Sequence, residues 1–198
     1  MSSKDLMLGR IRQALGSSAA PPDIPRGYRR GFAPVDLDLL VERLVDYKAV
    51  VHRVSDLSGT IAEIIGSGAL VVPPGLPEEW LPPDVPVRRD DGLSAADIAA
   101  ADGVVTAAAV AVVETGTIVL DASPDQGRRI LSLLPDLHIC VLRPEQVVAS
   151  VPEAVARLEP TRPLTWISGP SATSDIELNR VEGVHGPRNL HVILWEAA

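Results

Sequence analysis

Three short segments hold most of the residues whose types could do chemistry. The first is Glu114-Thr115-Gly116-Thr117, in which the glycine permits a tight turn and Thr115, Gly116 and Thr117 are candidate substrate-binding residues beside the carboxylate. Glu114 is the single charged residue between Gly103 and Leu120. Because burying an unpaired carboxylate is costly, we expect Glu114 at a rim of the fold. There it is either a solvated residue at a strand end or a catalytic acid or nucleophile, and both interpretations stay open.

The second segment is the small and hydroxylic motif GPSATS at 169–174. It lies between a predicted strand and a predicted helix, where free backbone N–H groups can hold an anion. Ser171 and Thr173 have no structural duty that the sequence reveals, so we predict that they bind a ligand. Asp175, at the start of the predicted helix, joins them as a candidate binding residue.

The third segment is GVHGPR at 183–188, where glycine and proline rigidify a turn. His185 could move a proton near neutral pH, and Arg188 could bind a carboxylate in a fork. A purely hydrogen-bonded, structural histidine is an equally open interpretation. Arg128, after Asp-Gln-Gly, is a weaker candidate for carboxylate binding. The other histidines fall in predicted strands, and we expect structural roles for His52, His138 and His191.

Helix and strand patterns alternate from Pro34 onward, which favours an α/β fold with a mostly parallel open sheet and helices on both faces. An antiparallel hairpin is predicted over Val110 to Leu120, turning at Thr115-Gly116. In such sheets ligands gather outside the carboxyl ends of the strands. The predicted helices lie near 36–47, 57–65 and 94–101 and after 175; the predicted strands lie near 49–54, 70–73, 85–88, 104, 114, 139–142, 165–168 and 191–195. Ser174 and Glu177 have the spacing of a capping box, which we favour over ligand contact for this pair.

The first 33 residues are predicted to form a separate arm, followed by one α/β domain over 34–198. Leu8, Ile11 and Leu15 have helical spacing, and Gly16 ends the helix. We favour docking of this apolar stripe on its own domain, and the alternative is a handle for a partner subunit.

Composition excludes several functional classes. The formal net charge of −8 disfavours binding to nucleic acid, and no segment is apolar enough to predict a membrane span. The amino terminus has no export signal, so we expect a cytoplasmic protein. The single cysteine, Cys140, cannot hold an iron–sulfur cluster or a structural zinc ion alone, and no metal site is expected. Dinucleotide, Walker and nucleophile-elbow motifs do not occur in the sequence.

Taken together and in order, the motifs resemble the LUD-domain family, in particular its members that serve in lactate utilization. The resemblance is carried by VVETGTIVL at 112–120, GRRILSLLPDLHICVL at 127–142, ISGPSATSDIELNRVEGVHGP at 167–187 and RNLHVIL at 188–194, with RIRQAL near the amino terminus. It implies a fold similar to the superfamily of glucosamine-phosphate isomerases (NagB), ribose-phosphate isomerases (RpiA) and CoA transferases. It also implies a part in oxidising L-lactate to pyruvate alongside two iron–sulfur subunits.

This resemblance leads to three hypotheses. The first is a cytoplasmic, non-redox subunit of a lactate-oxidising complex, with no cofactor in this chain and iron–sulfur clusters in two partner subunits. In it Arg188 or Arg128 binds a small carboxylate and His185 accepts the hydroxyl proton. The second is a separate enzyme related to CoA transferases, with Glu114 as the nucleophile. The third is an assembly or regulatory module.

Overall fold

The computed structural model describes residues 2–16, 23–25, 34–173, 181–183 and 186–196, which contain five α-helices and twelve strands. The helices are α1 (Ser3–Leu15), α2 (Leu37–Asp46), α3 (Leu57–Ile65), α4 (Ala95–Ala99) and α5 (Val151–Arg157). The strands are β1 (Val50–Val54), β2 (Leu70–Val72), β3 (Val87–Arg89), β4 (Gly103–Thr106), β5 (Val110–Val112), β6 (Thr117–Leu120), β7 (Leu137–Leu142), β8 (Val147–Val148), β9 (Thr165–Ile167), β10 (Ala172–Thr173), β11 (Val181–Glu182) and β12 (Asn189–Trp195).

A six-stranded sheet with every neighbouring pair parallel forms the centre of the fold, in the order β1-β12-β7-β4-β2-β3. Its central strands are rich in Val, Ile and Leu because both faces of a parallel sheet are covered. The fold predicted from the alternating pattern, a mostly parallel sheet flanked by helices, is therefore confirmed.

One face of this sheet is covered by α3 and a short 3-10 helix over Glu78–Trp80. Leu57, Ile61 and Ile65 repeat at four-residue spacing and bury one side of α3. They belong to the same core cluster as Ile139 and Val141, which point to this face of β7. The helix begins where Asp56 accepts a hydrogen bond from the N–H of Gly59, a regular N-cap.

The opposite face is covered by α2 and by a second, four-stranded sheet in the order β8-β5-β6-β9. Leu40 and Leu44 of α2 pack in one cluster with Cys140 and Leu142, the alternate residues of β7. The predicted hairpin is confirmed, since β5 and β6 pair antiparallel with Val112 opposite Thr117. A strand was also predicted near 165–168, where β9 lies, but the separation of these strands into a second sheet was not predicted, nor were β8 and α5, which covers the outer face of this sheet.

The amino-terminal helix α1 has its own capping box, in which the side chains of Ser2 and Asp5 each satisfy a backbone N–H group of the other. All of its residues are exposed, including Leu8, Ile11 and Leu15. We expected these three residues to be buried against the domain, but the structure leaves them exposed. Among the described residues, no helix is long and apolar enough to cross a membrane.

Candidate functional site

The three chemically suggestive segments approach one another through direct hydrogen bonds. Thr117, which follows the Glu114 turn, shares a hydrogen bond of 2.8 Å between its Oγ1 and the Oγ of Ser168. The N–H of Ser171 donates to the carbonyl oxygen of Pro187 at 2.8 Å, and the N–H of Gly183 donates to that of Ser171 at 3.0 Å. Segments more than 50 residues apart in sequence therefore meet at one end of β9.

A hollow of about 200 Å³ lies where the second and third segments meet. Its lining combines small, hydroxylic and apolar residues with one guanidinium and one imidazole: Arg129, Ser132, His138, Thr165–Ala172, Gly186, Pro187 and Leu190. His138 and Leu190 are the second residues of β7 and β12. The hollow thus lies beside the amino ends of these strands, whereas ligands of an open α/β sheet are expected at the carboxyl ends.

Arg129 supplies the positive charge of the hollow. Its Nη1 donates to both the carbonyl oxygen and the Oγ of Ser132, each at 3.1 Å, and this pair fixes the guanidinium within the turn before β7. A guanidinium has five N–H donors in a planar fork, so further donors are available to a carboxylate. Thr165, Ser168 and Ser171 also belong to the lining and contribute hydroxyl-bearing side chains to it.

His138 is buried at the base of the hollow, with only 1% of its surface exposed. Its Nε2 lies 2.8 Å from the Oγ1 of Thr106 on the neighbouring strand β4. Burial lowers the pKa of His138 from 6.5 to about 4, and the charge of Arg129 acts in the same direction. The imidazole is therefore neutral at physiological pH, and among the described residues of the lining Arg129 carries the positive charge that would attract an anionic ligand.

The loop that borders the hollow is fixed at Gly169, which has a φ of +87°. A Cβ atom at this position would lie 2.5 Å from the carbonyl oxygen of Tyr47, at the end of α2. Only glycine combines this left-handed conformation with so close a backbone contact. The glycine of the GPS motif therefore sets the path of Pro170 and Ser171 along the hollow.

The structure places the Glu114 turn next to the hollow but outside its lining. Glu114 is exposed, and its N–H donates to the carbonyl oxygen of Ala149 at 3.1 Å. Thr115 is half-buried, and Gly116 packs closely against Arg43 of α2. Thr117 reaches the border of the hollow through Ser168. The assignment of Glu114 as a catalytic residue stays a prediction.

Arg128 and Arg188 are each held by an aspartate and do not line the hollow. Arg128 binds Asp90 through Nε at 2.8 Å and Nη2 at 2.5 Å, and it lowers the pKa of this buried carboxyl. Arg188 binds Asp136 through Nε at 2.7 Å and Nη2 at 2.8 Å. Carboxylate binding by either arginine, as predicted from the sequence, would require these pairs to open.

Only some of the remaining candidates lie among the residues that the structure describes. Ser171 lines the hollow, and Thr173 lies in β10, which pairs antiparallel with β11. Asp175 and His185 lie outside the described residues, as do the proposed capping pair Ser174 and Glu177. Their predicted roles stay predictions.

Metal binding finds no support in the part of the chain that the structure describes, where no group of three or more His, Cys, Asp or Glu residues is arranged to hold an ion. Cys140 lies fully buried in β7, and burial raises the pKa of its thiol to about 12. A thiol with so high a pKa is inert toward metals and electrophiles.

Two residues that line the hollow were not among the predicted site residues: Arg129 was not singled out, and His138 was expected to be structural. The signal for Arg129 was present in the adjacent pair Arg128-Arg129, since two consecutive residues in a turn point in different directions. Without the turn geometry the sequence did not indicate which of the two arginines lines the hollow. For His138, strand alternation places it on the same face as Cys140, but does not show that a hollow opens there.

Comparison with known proteins identifies relatives for most of the chain. A family model described as "LUD domain" matches residues 88–195. A protein named lactate utilization protein C from Deinococcus radiodurans is 48% identical over 200 residues, covering 95% of this chain and 93% of that protein. A protein of the same name from Shouchella clausii is 35% identical over 107 residues, covering 50% of this chain and 46% of that one.

A solved structure shows the same architecture. A crystal structure of a DUF162 family protein from Deinococcus radiodurans superposes with a TM-score of 0.71 at 44% sequence identity. The superposition covers 81% of this chain and 96% of the other. At this identity the similarity extends beyond fold to family membership.

Proposed function

Because the chain belongs to the LUD domain family, we propose that it serves in lactate utilization, as the non-redox subunit of a cytoplasmic complex that oxidises L-lactate to pyruvate. The relatives named lactate utilization protein C support a role for this chain in lactate utilization. The hollow beside β7 and β12 supports the ligand class, since its chemistry suits a small carboxylate.

The observation that carries this proposal is the convergence of the GPS and GVHGP motifs on a hollow that contains Arg129. A fixed guanidinium, flanking hydroxyls and a neutral imidazole together recognise a carboxylate and a neighbouring hydroxyl or keto oxygen. A hollow of about 200 Å³ suits a three-carbon acid better than a nucleotide. In this arrangement Arg129 binds the carboxylate of the acid, and Ser171 and His138 contact the neighbouring hydroxyl or keto oxygen.

Oxidation of lactate removes two electrons and two protons from the carbon and hydroxyl of the substrate. Iron–sulfur clusters accept electrons singly and are bound mainly by several cysteine thiolates, whereas this chain has one buried cysteine. We therefore assign the clusters to two partner subunits and only binding and orientation of the acid to this chain. From the sequence, we predict that His185, in the GVHGP motif, accepts the hydroxyl proton.

Reconstitution tests this proposal. The chain is purified alone and also combined with its two iron–sulfur partner subunits, and lactate-dependent reduction of an artificial acceptor is measured. The chain alone should be colourless and inactive, and the partners should oxidise lactate only when the chain is present. Turnover of lactate by the isolated chain, or full activity of the partners without it, would contradict the assignment.

A further inference from the structure

The central sheet has a topological switch point between β2 and β4. From β2 the chain continues outward to the edge strand β3, whereas from β4 it continues in the opposite direction to β7. The two strands are neighbours, with Leu70 opposite Gly103. Where adjacent parallel strands connect in opposite directions, a crevice opens outside their carboxyl ends, and ligands of open α/β sheets bind there.

A cleft of about 480 Å³ occupies this position. Its floor is formed by Gly75, which follows β2, and by Ala108 and Ala109, which follow β4. Its walls come from the loop after β6 and from the end of α5, with the polar side chains of Asp121, Ser123, Asp125, Gln126 and Arg157. The volume lies in the range of small-molecule sites, and no residue of the cleft lines the hollow of the GPS motif.

Two charged side chains of the cleft differ in how fully they are engaged. Asp121 is occupied, because it accepts a hydrogen bond of 2.7 Å from Nη1 of Arg162. Asp125 is half-buried, and within the described residues its buried Oδ1 has no hydrogen-bond partner. Burial, together with the charge of Asp121, raises the pKa of the Asp125 carboxyl. An unsatisfied buried acceptor is unusual in a native protein, and it marks Asp125 as a carboxyl with spare acceptor capacity in the lining of the cleft.

Arg157, at the end of α5, also lines the cleft and is exposed. Its Nη1 donates to the carbonyl oxygen of Glu145 at 2.9 Å, which orients the side chain and leaves further donors of the fork for an anion. The lining of the cleft thus combines a cation, a carboxyl with spare acceptor capacity and small residues at the strand ends.

We propose that this cleft is a second ligand site, which binds an organic anion bearing hydroxyl groups, with Arg157 on the anionic group and Asp125 on a hydroxyl. The required chemistry is shared by nucleoside monophosphates and by sugar acids. The site is independent of carboxylate binding in the hollow, so it stands or falls separately from the proposed function.

Calorimetric titration of the full chain with AMP and with gluconate tests the proposal and separates the two sources. At least one of them should bind with a dissociation constant below about 1 mM. Adenosine, which lacks the anion, and inorganic phosphate, which lacks the sugar hydroxyls, should each bind at least about tenfold more weakly. Excess lactate should leave the affinity unchanged, because the hollow is a different site.

Three substitutions locate the binding. Asp125→Asn and Arg157→Gln should each weaken binding by about tenfold or more, and Ala109→Leu should block the floor without changing charge. Arg53→Gln is the control for Arg157→Gln, because it removes the same charge on β1, the edge strand far from the cleft. This variant should bind AMP or gluconate as the parent does. Thermal melting verifies that each variant is folded. Absence of binding by both probes, or undiminished binding by folded Asp125→Asn and Arg157→Gln variants, would overturn the proposal.

Discussion

Replacement of His138 by glutamine should remove a large part of the acid sensitivity of the fold. In the parent, burial lowers the pKa of His138 to about 4, whereas the unfolded chain titrates near 6.5. Below pH 6.5 the unfolded state therefore binds a proton that the folded state does not, and stability falls as the pH falls. The loss is complete only below the folded pKa.

The size of the effect follows from these two values. The full difference corresponds to about 3 kcal/mol, and between about pH 8 and pH 5 the loss attributable to His138 is about 2 kcal/mol. Other groups also titrate in this interval, among them His191, whose pKa is lowered by burial. The informative quantity is therefore the difference between the pH dependence of the parent and that of His138→Gln.

Urea unfolding at several pH values between about 8 and 5 measures this difference. We expect the parent to lose about 2 kcal/mol more than His138→Gln over the interval. Thr106→Ser keeps both the imidazole and a hydroxyl partner for its Nε2, so it serves as the matched control and should keep the slope of the parent. Parallel curves for the parent and His138→Gln would show that His138 is not held neutral by burial, and the electrostatic description of the hollow would fail.

Further substitutions probe the residues around the site. Asp90→Asn should lower the free energy of unfolding by about 2 kcal/mol, because it breaks the pair between a buried carboxylate and Arg128. Asp136→Asn, at an exposed pair, should lower it by less than about 1 kcal/mol. Urea unfolding measures both, and equal losses would contradict this ranking. Incubation with acyl-CoA should leave the mass of the chain unchanged, because Glu114 lies outside the hollow, and an adduct that Glu114→Gln abolishes would instead favour the CoA-transferase hypothesis. Gly169→Ala should destabilise the fold by more than about 1 kcal/mol, since its φ of +87° and the contact with Tyr47 exclude a Cβ atom; a neutral effect in urea unfolding would refute that argument.

Local sequence signals were sufficient for much of the fold. The bounds of α3 follow from the four-residue spacing of Leu57, Ile61 and Ile65 and from the N-cap Asp56, and they coincide with the prediction. The turn of the β5–β6 hairpin follows from Gly116, whose positive φ few other residues tolerate. In these places, short-range geometry determines the structure, so the sequence pattern is informative.

The division into two sheets could not be predicted in the same way. Of the strands that extend the hairpin, β9 coincides with the strand predicted near 165–168, whereas β8 has only two residues, too few to show a periodic pattern. Their pairing depends on long-range contacts, such as Ile118 opposite Ile167. The position of the hollow depends on that second sheet, which is why the expectation of a site at the carboxyl ends of the strands did not anticipate it.

The choice among arginines shows the same limit within the candidate site. Arg128, Arg129 and Arg188 all follow turn residues in sequence, yet two of them are held by Asp90 and Asp136 and only Arg129 lines the hollow. Neither aspartate is close in sequence to the arginine that it binds. Recognition of these pairs therefore required the tertiary structure.

The most direct test of the central claim, that the hollow binds the acid through Arg129, is the kcat/KM for lactate of the reconstituted complex with Arg129→Gln. Loss of a charge-assisted contact should lower it by about tenfold or more. Arg188→Gln, at an exposed arginine outside the hollow, should stay within about threefold of the parent, consistent with the small value of surface pairs. An unchanged kcat/KM in the folded Arg129→Gln complex, or a larger loss with Arg188→Gln, would contradict the account.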